Sequence, residues 1–247
     1  MTRHDRFDRP PAGSPGALDR LRGRFDLNTT QVSVGSHRLQ IPELSDPRSY
    51  IEDRLGPLPG RTADLPFWTK VWPASLVLAA FVDSRVEPAV APLLELCAGL
   101  GLPGLVAARN GRRAVLADFD PDALEFARAA VELNGLDDLV TVQALDWQAP
   151  MLQLDRFSTI LGGETLFHGP GPPRAVELLA HNLAADGQAF LSHEERPFGM
   201  RFFRLARDRF TIRSTSCTVR EPDSGRDATK VFLHALTPLP RPSEELN

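Results

Sequence analysis

The chain has 247 residues, of which 42% are hydrophobic and 24% charged, and its formal net charge is -4. That length supports one large domain with appendages, and that composition excludes a mainly disordered chain. An acidic balance gives no electrostatic reason to expect a nucleic-acid partner, and the two cysteines, Cys97 and Cys217, exclude a disulfide framework and a Cys-x-x-Cys metal signature.

Residues 1–25 mix Pro, Gly and charge without a sustained apolar period, and 238–247 do the same, so both ends are expected to be mobile. The alternation of Arg and Asp over Arg3–Arg9 is neither a signal nor a transit peptide. The longest apolar stretch near the front, Ala74–Val82, is too short for a bilayer, which needs about 20 residues. A cytoplasmic protein without a membrane span is expected. Over Gln31–Ile41, apolar and polar residues alternate about Gly35-Ser36, the pattern of a hairpin. An arm over residues 26–65 therefore precedes the main fold.

From Trp72 the pattern turns to alternating helices and strands. A helix is predicted over Trp72–Val82 with Pro73 near its first turn. Leu93–Ala98, Ala114–Phe119, Val140–Asp146, Phe157–Glu164 and Ala189–His193 read as strands, and Pro103–Asn110, Pro121–Asn134 and Arg174–Ala184 as helices. After a helix over Met200–Arg209 come Thr211–Val219 and Val231–Leu236, a terminal strand pair. Short apolar strands separated by amphipathic helices indicate an α/β, doubly wound, mostly parallel sheet covered on both faces.

In such a sheet a ligand sits beyond the carboxyl ends of the strands, near the point where strand order reverses. Gly99, Gly101 and Gly104 follow the first strand and open a helix, which lets the backbone turn sharply near a ligand. Asp118 ends the second strand, where a carboxylate can accept from both ribose hydroxyls of an adenosine, with Phe119 beside it for the adenine face. The third strand ends in Asp146-Trp147, a carboxylate for an exocyclic amine and an indole that offers a stacking surface. The glycines and the acid also satisfy the dinucleotide fingerprint of nicotinamide-dependent oxidoreductases. Glu95 within the first strand, Asp146-Trp147 and the terminal strand pair favour a sulfonium cofactor instead.

Pro66-Phe-Trp-Thr-Lys-Val-Trp72-Pro-Ala-Ser75, Glu95–Gly104, Asp118, Asn134, Asp146-Trp147 and Leu161-Gly-Gly-Glu164 together resemble the class I, seven-stranded S-adenosylmethionine-dependent methyltransferases. The narrower likeness is to the lysine methyltransferase-like group. The resemblance covers residues 66–236. It implies a Rossmann-like seven-stranded sheet with an antiparallel strand inserted beside the fifth, Trp72 against the cofactor and Gly163 near it. The cofactor-binding set is then Trp72, Glu95, Cys97, Gly99, Gly101, Asp118, Phe119, Asp146, Trp147 and Gly163, with S-adenosylmethionine as cofactor and S-adenosylhomocysteine as product.

Where that group has Asp-x-x-Tyr after the fourth strand, this chain has Glu164-Thr-Leu-Phe167. Glu164 is the expected catalytic carboxylate, able to orient an ammonium and accept its proton. Phe67, Trp68 and Phe167 are expected to wall the acceptor site, where aromatic faces attract cations. No metal is expected, since the six histidines lack ligand spacing. The implied partner is a methyl acceptor, a protein lysine or a small-molecule amine. The other readings are an oxidoreductase and a cofactor-binding module without catalysis that acts through a partner.

Overall fold

The computed structural model describes residues 15–56, 66–87, 91–146, 156–165, 171–195, 199–220 and 228–240. An arm comes first: α1 (Ala17–Arg22), β1 (Leu27–Val34), β2 (His37–Leu44) and α2 (Pro47–Leu55). The main unit follows as α3 (Pro73–Arg85), β3 (Leu93–Leu96), α4 (Leu102–Arg109), β4 (Ala114–Asp118), α5 (Pro121–Leu133), β5 (Val140–Ala144) and β6 (Phe157–Gly163). It closes with α6 (Pro172–Asn182), β7 (Leu183–Glu194), α7 (Gly199–Ala206), β8 (Phe210–Val219) and β9 (Thr229–Pro238).

Seven strands form one sheet in the order β5-β4-β3-β6-β7-β9-β8. β3 pairs in parallel with both β4 and β6, so the strand order reverses at β3 and its C-terminal end opens a crevice. β9 runs antiparallel between β7 and β8. This is the expected doubly wound sheet with an antiparallel strand near its end. Among the described residues no helix is long and apolar enough to cross a membrane.

Alternation along the central strands builds two layers. Leu93 of β3 and Ala114 and Leu116 of β4 join the core shared with α3, α4, α5 and the arm. Leu94, Leu96, Val115 and Ala117 join the opposite core with α6 and α7. Period-2 side-chain direction puts Glu95 on the first of these faces, toward α4.

The arm hairpin turns at Gly35-Ser36, with Val34 opposite His37 and Gly35 at φ 55°. Leu39 and Ile41 are fully buried against the main unit. Asn134 fixes the register of that docking, accepting from Gln40 N–H at 3.0 Å and donating to Gln40 O at 2.8 Å. Part of the stretch 1–25 expected to be mobile is helical. α1 buries Leu21 and sets Arg20 3.0 Å from Glu125 of α5.

Candidate functional site

The loop after β3 is built around left-handed backbone: Cys97 has φ 50°, Gly99 φ 54° and Gly101 φ 73°. Gly101 is also the N-cap of α4, with Pro103 in its first turn. Two buried carboxylates tie the loop down. Glu95 Oε2 accepts from Gly104 N–H at 2.7 Å, and Asp118 Oδ2 accepts from Gly99 N–H at 2.9 Å. Burial pushes the Glu95 carboxyl up to about 8, against the opposing pull of the Gly104 N–H. A Cβ at Gly104 would come within 2.3 Å of Leu116 Cδ2 and 2.7 Å of Glu95 Oε2, so this glycine serves the packing of α4 on β4.

Asp118 is more committed than its position at a strand end suggests. Besides Gly99, its Oδ1 accepts from Phe119 N–H at 2.8 Å and Asp120 N–H at 3.1 Å. Burial lifts its carboxyl above the ordinary range, and the three N–H donors pull it back. A carboxylate offers about four acceptor sites. Among the described residues three are taken, so one remains, on Oδ2. The two ribose hydroxyls expected on Asp118 would meet one open acceptor site there.

A cavity of about 400 Å³ lies beyond the C-terminal ends of β3, β4 and β6, within the size range of small-ligand sites. It brings together ten of the expected site residues: Phe67, Trp68, Trp72, Cys97, Gly99, Gly101, Asp118, Phe119, Gly163 and Glu164. Phe119 is the exposed flat surface of this wall, at 56%. Cys97 carries a thiol that burial, first, and then the Asp118 and Glu95 charges push well up, which suits a small packed residue rather than a nucleophile.

Other expected residues lie elsewhere. Glu95 is under the loop and not in the cavity wall, because its strand position faces α4. Asp146 is exposed beyond the end of β5 and is not among the residues lining the cavity. Trp147 and Phe167 lie outside the described residues.

Trp68 reaches the cavity only in part. A short 3-10 turn, Phe67–Thr69, sends its ring inward against Tyr50 and Phe126 at 5.5 and 4.9 Å, and its indole N–H donates to Asp120 Oδ2 at 3.0 Å. Phe67 and Trp72 are the outer aromatic pair, with ring centroids 6.0 Å apart. Lys70 Nζ sits 3.9 Å over the Trp72 ring.

Glu164 follows β6 in left-handed backbone, φ 56°, a rare conformation for a non-glycine residue. Its N–H donates to Ser192 O at 2.8 Å and its Oε1 accepts from Glu194 N–H at 2.7 Å. The side chain is thus held across the β6–β7 edge, at the far end of the cavity wall from Asp118. Arg54, Lys70, Ser75 and Asp120 also line the cavity and were not singled out from sequence. Asp120 caps α5 by accepting from Asp122 N–H at 2.9 Å, and it also holds Trp68 and Arg54.

Residues 67–209 match the family described as lysine methyltransferase. The chain is 31% identical over 130 residues to protein N-lysine methyltransferase METTL21A of Xenopus tropicalis, covering 51% of this chain and 60% of that protein. It is 35% identical over 104 residues to histone-arginine methyltransferase METTL23 of Mus musculus, covering 39% of this chain and 40% of that protein. The matched region thus spans less than two thirds of either relative. A precorrin-6y C5,15-methyltransferase from Geobacter metallireducens has a similar structure, with a TM-score of 0.55 at 12% identity, covering 66% of this chain and 86% of that one. At that identity the likeness is one of fold.

Proposed function

The chain belongs to the lysine methyltransferase family, with the class I S-adenosylmethionine-dependent methyltransferase fold, and we propose that it methylates a side-chain nitrogen of a protein, lysine ahead of arginine. The observation that carries this reading is the arrangement of two carboxylates on one cavity. Asp118 at one end keeps a single open acceptor site for a ribose hydroxyl. Glu164 stands at the other, suited to an ammonium. The lysine preference rests on the family description and on the longer match to the lysine-modifying relative.

The residues present fit the cofactor. The open site on Asp118 Oδ2 would hold the ribose, Phe119 would cover the adenine, and Gly163 and Trp72 would flank the remainder. S-adenosylmethionine supplies a methyl group on positively charged sulfur and leaves as S-adenosylhomocysteine. In-line transfer needs alignment and exclusion of water more than acid–base power. Phe67 supplies an aromatic face at the entrance that favours a cation, while one face of Trp72 already carries Lys70. Glu164 orients the acceptor ammonium and takes the proton that must leave before nitrogen can offer its lone pair.

Calorimetry with S-adenosylhomocysteine and with a nicotinamide dinucleotide tests the cofactor, and only the first is expected to bind. Incubating lysate protein with methyl-labelled cofactor tests the acceptor. Label is expected in the protein fraction as methyl-lysine, and Glu164→Gln should retain homocysteine-nucleoside binding while transfer slows by about 10²-fold or more. Binding of the dinucleotide alone would replace the reading with an oxidoreductase. Cofactor binding with no labelled product would leave a binding module.

A further inference from the structure

α2, a helix of the arm, brings Arg54 and Leu55 to the cavity wall. It has no fully buried residue, and its apolar hold on the main unit includes the half-buried Tyr50 ring against Trp68 at 5.5 Å. Polar contacts add to it. Tyr50 Oη donates to Asp122 Oδ2 at 2.8 Å, and the Arg54 guanidinium sits 2.9 Å from Asp120 and 3.5 Å from Asp122. Tyr50 Oη also accepts from Arg54. These contacts hold the guanidinium beside Asp118-Phe119-Asp120, where it lines the cavity.

Two carboxylates flank one guanidinium, so Arg54 brings little net charge to the cavity. What it brings is a flat, weakly hydrated surface of the kind that stacks on aromatic rings. Phe119 is a second flat surface on the same wall. The chemical class that such a pair suits is a neutral planar heterocycle. Resting on the reading above, in which Asp118 takes the ribose, we propose that Arg54 is a cofactor-site residue contributed by the arm, its clamped guanidinium forming a wall for the adenine face. Arm docking and nucleoside binding are then coupled, each strengthening the other by the same factor.

The test is calorimetry on the full chain with two ligands, S-adenosylhomocysteine and 5′-methylthioadenosine, which lacks the amino-acid part. Arg54→Ala is expected to weaken both by about fivefold, within the span that a stacked cation supports. Arg54→Lys, which keeps charge but not the plane, is expected to recover little of it. Tyr50→Phe loosens the same attachment without touching the cavity and is expected to cost clearly less affinity than Arg54→Ala. Unchanged affinity for both ligands would overturn the proposal. So would a loss confined to S-adenosylhomocysteine, full recovery by lysine, or equal losses from Tyr50→Phe and Arg54→Ala. If the wild-type chain binds neither ligand, the underlying methyltransferase reading fails instead.

Discussion

Replacing Asp118 by asparagine separates the two tasks this carboxylate performs. The amide keeps the shape but has one acceptor oxygen instead of two. Oδ1 serves two N–H donors, from Phe119 and Asp120, and Oδ2 serves Gly99 alone. The cheaper orientation therefore turns the NH2 toward Gly99, donor against donor, and leaves that buried N–H unsatisfied. An unsatisfied buried donor costs about 1–3 kcal/mol. Relief of the burial of a charge offsets part of this, since burial already disfavours the ionised form, and a net loss of about 1–2 kcal/mol is expected. The same orientation places NH2 where the open acceptor site was, so a ribose hydroxyl loses its partner. A hydrogen bond to a charged group contributes about 1.5–3 kcal/mol, which corresponds to a fall of about 10- to 100-fold in nucleoside affinity. Urea denaturation of the free chain reads the first effect, and calorimetry with S-adenosylhomocysteine reads the second. Affinity within twofold of wild type would refute the ribose assignment. A wild-type urea midpoint and slope would refute the claim that Asp118 organises the glycine loop.

Two further outcomes follow from buried titrating groups. The Glu95 carboxyl is raised to about 8 in the folded chain, so its stabilising protonated form is fully present below the ordinary value near 4.5 and lost as pH rises through 8. Glu95→Gln mimics the protonated acid and should gain stability relative to wild type between pH 5 and 8.5 in denaturation curves, with nucleoside affinity near neutral pH unchanged; a large affinity loss would put Glu95 in contact with the ligand after all. On the other face of the sheet, Ser214 Oγ lies 2.7 Å from His234 Nδ1, and His234 Nε2 lies 2.9 Å from His193 Nε2. His193 Nδ1 in turn faces Glu194 O at 2.7 Å and so must donate. Burial, then the neighbouring His193, lowers His234 to about 4. The unfolded chain takes up a proton that the folded one refuses between pH 6.5 and 4, so stability should fall over that window by up to about 3 kcal/mol. A His234→Gln variant whose denaturation free energy falls as steeply over that window would refute this.

The elements of the sheet could be read from sequence because strands buried on both faces appear as short apolar runs, and because local signals such as Asp120-Pro121 mark helix starts where they act. The departures have non-local causes. α6 was expected to run to Ala184 but ends at Asn182, because Leu183 extends to pair with Phe157. α1 has too few residues to show a period, and what holds it is Leu21 buried against α5, far along the chain. The same distinction runs through the site. Its glycines and Asp118 sit in one local motif and could be found there, whereas Arg54 arrives from an arm with no motif of its own. Proximity in sequence also conceals direction: Phe67 and Trp68 are adjacent, yet the 3-10 turn sends one outward and the other into the core. Position along the strand matters as much. Glu95 and Asp118 lie on the same face of the sheet and both tie down the glycine loop, but Asp118 sits two residues beyond Leu116, the partner of Glu95, at the strand end where the cavity opens, so in the proposed reading it alone of the two meets a nucleoside.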